Sequence, residues 1–194
     1  GTLGFDHAFT NKMTAGLSLG YSQTDVDLDH HQGDGSIKTF AGSLYGSYFT
    51  RNAYLEGAVS YGRNWYDNNR LVTIGSLQRK ASSDHEGDLF SAYLGGGYAF
   101  DLKDWAVGPF VSLRYIYLNE ESFRETGADS LNLRVDHRNT DSLTSELGLR
   151  LARVFSVKYG SLIPEASAAW SYDFDIDDRV ITASFEGSPG TAFS

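Results

Sequence analysis

Residues 13 to 22, MTAGLSLGYS, divide into two sets when every second residue is taken. Met13, Ala15, Leu17, Leu19 and Tyr21 fall on one side of an extended chain, and Thr14, Gly16, Ser18, Gly20 and Ser22 on the other. A period of two is the signature of a strand with unlike faces, because successive side chains on a pleated backbone point in opposite directions. The pattern recurs at 53–65, 89–100, 105–117, 143–155 and 162–174. In each run Leu, Val, Tyr, Phe and Trp line one face, while Gly, Ser, Ala and isolated charges line the other. In 37–49 large residues occur on both sides; the series Phe40, Leu44, Tyr48 is taken as the apolar face, leaving Tyr45 and Phe49 opposite. With shorter strands expected at 2–9 and 179–185, the chain contains about nine strand candidates and no stretch with helical periodicity.

The connections alternate as well. TNK (10–12), TRN (50–52), DLKD (101–104) and 156–161 are short, whereas 28–36, 66–88 and 119–140 are long and polar. In an up-and-down meander every second connection lies at the same end. One end of this sheet therefore carries tight turns and the other carries long loops.

Alternation alone permits two architectures. A soluble sandwich packs the apolar face inward and solvates the polar one. A transmembrane β-barrel turns the apolar face to lipid and encloses the small and polar residues. Three features favour the barrel. The second face is rich in Gly, Ser and Ala instead of the dense Lys and Glu of a solvated sheet. Aromatic residues (Tyr21, Tyr48, Trp65, Phe100, Trp105, Tyr117, Phe155, Phe174) gather near strand ends, as interfacial girdles require. Short turns opposite long loops are the outer-membrane arrangement. Charge placement agrees, since Glu56, Arg114, Glu146, Arg150 and Glu165 all fall on the small-residue face. An Arg or Lys facing mid-bilayer lipid would cost about 2–4 kcal/mol. Arg63 and Arg153 share the apolar face and are expected near strand ends.

Composition narrows the function classes. A net charge of −9 leaves no basic stripe for nucleic acid. The absence of cysteine excludes a disulfide framework and thiolate metal sites, and suits an oxidising compartment. The pattern leads to no expectation of a signal peptide within these residues, and there is no apolar run of the length a transmembrane helix needs. The mean hydropathy of −0.33 looks soluble, but a barrel scores this way because only alternate residues meet lipid.

Motifs that suggest chemistry are weak. GLSLG (16–20) fits the pattern of a nucleophile elbow, yet that motif needs a strand-to-helix turn and this one sits within a strand. DVDLDHHQGDG (25–35) opens like a calcium loop with Asp25, Asp27 and Asp29. It then places His30 where glycine is required and Ser36 where glutamate is. His85 beside Ser83 and Asp84 does not make a triad by adjacency. His7 and His137 are isolated, so no metal spacing emerges and neither a cofactor nor a metal is expected. The inward charges Glu56, Arg114, Glu146, Arg150 and Glu165 carry two readings: a hydrophilic conduit, or a static network of ion pairs that holds the interior together.

Several blocks together resemble the β-domain of autotransporters, the translocator of type V secretion in Gram-negative bacteria. They are LGFDHAFTNKMTAGLSLGYS, SLYGSYF, AYLGGGYAFDL, VGPFVSLRYIYLNEESFRETGADSLNL, DSLTSELGLRLARVF and SFEGSPGTAFS. Each is a common barrel pattern, and their order makes the resemblance specific. It implies a twelve-stranded outer-membrane barrel at the cell surface. Its partners would be outer-membrane lipid, the chain's own passenger polypeptide and the outer-membrane assembly machinery. Glu125 and Gly127 match the family's E-x-G block, and Pro189 and Gly190 its P-G pair; all four are carried over as structural positions. The usual pore-threading helical segment and further strands are missing from the pattern. The expectation is a single-domain barrel fragment spanning 1–194, with no enzyme activity, which exports or anchors an N-terminal passenger. A standalone surface barrel acting as an adhesin through loops 66–88 and 119–140 is the alternative. A lipid-modifying enzyme relying on His85 or His137 is a third reading.

Overall fold

The alternating runs become strands, the run at 162–174 only from Glu165 onward because Leu162 ends a separate short hairpin, and neighbours in sequence become neighbours in space. The computed structural model describes residues 1–28, 33–103, 105–174 and 182–193, except for the side chains of Leu28, Pro189, Thr191 and Phe193. The strands are β1 (Thr2–Ala8), β2 (Met13–Leu28), β3 (Gly33–Phe49), β4 (Ala53–Ile74), β5 (Leu77–Tyr98), β6 (Phe100–Leu102), β7 (Trp105–Glu120), β8 (Phe123–Arg124), β9 (Leu133–Val135), β10 (Arg138–Arg153), β11 (Phe155–Val157), β12 (Gly160–Leu162), β13 (Glu165–Phe174), β14 (Ala183–Phe185) and β15 (Ser188–Phe193). One sheet runs in the order β1-β2-β3-β4-β5-β7-β10-β13, every pair antiparallel, with β6 continuing beside β7. Among the described residues no pairing joins β1 to β13. A 3-10 turn at Asp129–Leu131 is the helical element among the described residues. The expected strand at 179–185 is realised as β14; residues 179–181 lie outside the described residues.

Register carries the alternation across the sheet. Leu17 pairs with Leu44, Leu44 with Val59, Leu94 with Leu113, Val111 with Leu147 and Leu147 with Trp170. A slip of one residue in any pair would put its apolar set on the wrong face. The apolar face is not a core: Leu19 is 55% exposed, Val59 45%, Leu113 44% and Leu149 50%. The runs Met13–Tyr21, Phe40–Tyr48, Ala53–Tyr61, Phe90–Tyr98, Leu143–Leu151 and Ala166–Phe174 carry no charged residue on that face. Each is long enough for a tilted strand to cross hydrocarbon, which takes about 9–11 residues. The disputed run 37–49 resolves as expected, with Phe40, Leu44 and Tyr48 outward.

Two features differ from the sequence reading. The stretch 66–88 is not a loop: β4 and β5 continue as a paired ladder to Ile74 and Leu77, so the hairpin projects far beyond the apolar band. Arg63 consequently lies in the middle of a strand, where it is held by carboxylates from neighbouring segments. The polar stretch 119–140 folds too, as β8, the 3-10 turn and β9. With β14 and β15 these strands form a second, four-stranded sheet in the order β15-β14-β9-β8. Burial concentrates there: Ala81, Ala128, Val135 and Ala183 are the buried apolar residues, accompanied by Asn64, Ser83, Glu120, Glu125 and Asn132.

Candidate functional site

Two regions carry polar groups in an arrangement that burial alone does not explain: the small-residue face of the main sheet, and the joint between the β4–β5 hairpin and the second sheet.

On the small-residue face, aromatic rings lie over glycines of adjacent strands. Tyr45 covers Gly16, its register partner, so that a Cβ on residue 16 would come within 2.7 Å of the ring. Tyr54 covers Gly97 at 2.6 Å in the same sense, and Phe110 covers Gly148. Glycine is required at these three positions by close approach, since any side chain would occupy the ring's space. The hydroxyls of Ser60 and Ser43 meet at 2.8 Å, and the Thr39 hydroxyl donates to Asn64 at 2.8 Å. The serine of GLSLG pairs with Ser43 in mid-strand.

All five inward charges sit on this face. Glu56 accepts a hydrogen bond from the Tyr93 hydroxyl at 2.9 Å. Glu146 accepts one from Ser112 at 3.4 Å. The Arg150 guanidinium lies 5.8 Å from the centre of the Phe110 ring. Arg114 shares a cavity with Tyr45, Phe49, Glu56 and Tyr93, and Glu165 is exposed on β13. Among the described residues no ion pair links any two of them. Asp173, a further inward carboxylate, accepts from the Thr144 hydroxyl at 2.6 Å. Alternation in 162–174 puts Asp173 on this face, although the set of five inward charges left it out.

Ion pairs cluster instead at the long-loop end. On the outer face, just beyond the apolar band, Arg63 donates to Asp88 at 2.8 Å and to Glu121 at 3.2 Å, and it also pairs with Glu86. The Tyr61 hydroxyl donates to Asp88 at 2.6 Å. These donors, first the phenol and then Arg63, hold the Asp88 carboxyl below its ordinary range. The outer-face cost of Arg63 is thereby offset by three carboxylates at the level where headgroups begin.

On the inner face of the hairpin, Glu125 is the node of the joint. Arg70 donates to it through Nε at 2.9 Å and Nη2 at 2.5 Å, and the Leu133 amide donates at 2.8 Å. Gly127 follows with φ +98, and a Cβ there would stand 2.5 Å from the Lys80 carbonyl oxygen. Thr126 and Ser82 exchange backbone hydrogen bonds at 2.8 and 2.9 Å. The E-x-G spacing thus binds one segment to a strand from two sides. Gly190 has open space around it, and the Pro189 side chain, like His30 and His31, lies outside the described residues.

Beside this node Glu120 pairs with Arg138, and the His85 ring lies flat between Tyr66 and Phe123. Sequence reasoning missed Arg70, Glu120, Arg138 and the surroundings of His85. Their partners lie in distant segments, and no local alternation through 66–88 marks them. His7 makes an edge contact with Phe9, and no group of three or more metal-ligating side chains occurs among the described residues.

Comparison with known proteins agrees with this geometry. The family described as Autotransporter beta-domain matches residues 1–194. The chain is 27% identical to Outer membrane protein A of Rickettsia conorii over 197 residues, covering 96% of this chain and 10% of that protein. It is 25% identical to Esterase EstA of Pseudomonas aeruginosa, covering 100% of this chain and 30% of that protein. It therefore spans between a tenth and a third of the length of these relatives. Among solved structures, the translocator domain of autotransporter NalP from Neisseria meningitidis superposes with a TM-score of 0.72 at 20% identity, covering 95% of this chain and 68% of that one.

Proposed function

Because this chain belongs to the autotransporter β-domain family, placing it in the bacterial outer membrane, we propose that it is the wall of a translocator that exports a passenger polypeptide or anchors it at the cell surface. The observation that carries this reading is the exposed apolar face backed by a face of small and polar residues. Leu17, Leu44, Leu94 and Leu147 stand at 55–60% exposure on an unbroken uncharged band, while Gly16, Ser18, Ser43 and Ser60 line the opposite surface. In lipid the first surface is solvated by hydrocarbon, and the strand ladders satisfy the backbone within the sheet.

Residues 1–194 act in this proposal as one barrel domain, and Glu56, Arg114, Glu146, Arg150 and Glu165 line the conduit. Two facts support a conduit lining. The five share one face, and no ion pair between them ties their charges up among the described residues. A passing polypeptide would meet scattered charges of both signs on a ground of serine and glycine, which offers hydrogen bonds without a single strong trap. The barrel itself is not catalytic in this reading. Any activity, such as that named for Esterase EstA, belongs to a passenger. The outer-membrane assembly machinery is the proposed partner for insertion.

Surface proteolysis of cells expressing the full-length protein tests this. Shaving should release the passenger from intact cells, and deletion of residues 1–194 should leave the passenger protected inside. Arg114→Glu together with Arg150→Glu should slow its appearance at the surface without changing barrel insertion. A passenger that reaches the surface without residues 1–194 overturns the proposal, and so does recovery of the β-domain in the soluble fraction.

A further inference from the structure

We propose that the β8-β9-β14-β15 sheet is a lid seated on the inner face of the β4–β5 hairpin, and that the imidazole of His85, stacked in the joint between them, makes its seating sensitive to acid. Three kinds of contact dock the lid on the hairpin: the Arg70–Glu125 and Arg79–Asp129 ion pairs, the Ser82–Thr126 backbone bridge, and the stack of His85 on Phe123. The first joins guanidinium to carboxylate, whose ordinary pKa values lie far from neutrality. The second has no titrating group. Only the third contains a side chain whose charge changes in the range living cells encounter.

The geometry of that third contact is specific. The His85 ring is 4.5 Å from the Tyr66 ring with 4° between their planes, and 4.2 Å from the Phe123 ring with 14°. Tyr66 belongs to the hairpin and Phe123 to the lid, so the imidazole fills the joint between them. Its Nδ1 is sealed from solvent and has no hydrogen-bond partner among the described residues. A proton on that nitrogen would find no acceptor, and a buried unpaired donor is costly.

The charged and titratable neighbours do not supply one. Tyr66 of β4 offers its ring face. Asp84 points to the outer side of β5. Glu120 of β7 is engaged by Arg138 of β10, and Glu121 by Arg63. Asp136, between β9 and β10, lines the same 330 Å³ cavity without bonding to the ring. Glu120, Glu121 and Asp84 favour the charged imidazole and Arg138 opposes it, but burial is the largest influence and pushes the pKa down from 6.5. For a histidine depressed in this way, the docked state has its full stability above the ordinary pKa. It loses that stability as pH falls through about 6.5. Attraction between an imidazolium and its two flanking rings works in the opposite direction, which makes the sign of the effect a real test.

The experiment uses the full-length protein in outer-membrane vesicles, with Thr73→Cys on the hairpin and Arg134→Cys on the lid carrying spin labels. The described chain has no cysteine of its own. At pH 7.5 the distance distribution should show one narrow population. Between pH 6.5 and 5 a longer, broader population should grow reversibly. His85→Phe, which keeps the stack and removes the titration, should stay narrow throughout. If His85→Phe disturbs the pH 7.5 distribution, Phe123→Leu serves instead and should move lid opening to higher pH. An unchanged or tightened wild-type distribution at pH 5 overturns the proposal. Opening of His85→Phe at the same pH as wild type does so too.

Discussion

The ring of Phe110 on β7 lies directly across Gly148 on β10, the residue it pairs with in register, and leaves no room for a side chain there. The same relation joins Tyr45 to Gly16 and Tyr54 to Gly97. Three aromatic rings on the small-residue face are therefore seated in glycine gaps, which makes room for large residues on that face.

Gly148→Val should force the Phe110 ring aside and destabilise the barrel by about 1–3 kcal/mol, the usual cost of overpacking. The loss would appear as a lower temperature for conversion of the folded, fast-migrating species on gels. Pairing the change with Phe110→Leu should recover part of the loss. Equal conversion temperatures for Gly148→Val and wild type would contradict the close approach.

Leu17→Arg and Val111→Arg face hydrocarbon and should each cost about 2–4 kcal/mol. Both should block assembly into the outer membrane. Ser18→Arg, one residue away on the other face, should assemble normally. Fractionation and heat-modifiable migration read both outcomes, and normal insertion of Leu17→Arg would count decisively against the assigned faces.

Glu125→Ala removes the acceptor of Arg70 and of the Leu133 amide in one step. With Glu125 buried and Arg70 about one-third exposed, a loss of about 1–3 kcal/mol in lid docking is expected. Hydrogen exchange at Ser82 and Thr126 should accelerate while the membrane strands stay protected. Arg70→Ala combined with Glu125→Ala should cost much less than the sum of the single changes, because the two act as a unit.

Asp88 supplies a pH dependence with the opposite chemistry from His85. The Tyr61 phenol and Arg63 hold its carboxyl below the ordinary 3.8. A depressed carboxylate contributes stability that is present above the ordinary pKa and lost as pH falls through the lower folded value. The outer-face cluster should therefore persist at pH 5 and disperse only below about pH 4. Asp88→Asn should abolish that transition, as followed by the spectral environment of Tyr61. Loss of the cluster already at pH 6 would refute the assignment.

The distribution of faces was legible in the chain because a strand has only two sides. Once Leu17 and Leu19 share one of them, Ser18 cannot. Leu44, Val59, Leu113 and Leu147 follow by the same parity, and the register then brings like faces together. Arg63 was harder to place. Its position on the greasy side looked tolerable only near a strand end, yet it sits mid-strand with three carboxylates around it. The run 66–88 looked like loop because polarity on both faces is what a loop and a strand projecting into water have in common.

What the sequence alone determined is the two-faced sheet, its order and the end that bears long excursions, since each depends on local alternation and short connections. What only the tertiary structure decided is the lid: Arg70 with Glu125, Glu120 with Arg138, and His85 between Tyr66 and Phe123. Those contacts join segments far apart in the chain, and each depends on the distance at which two strands come to rest. Periodicity tells which way a side chain points, but it carries no information about what will be waiting there.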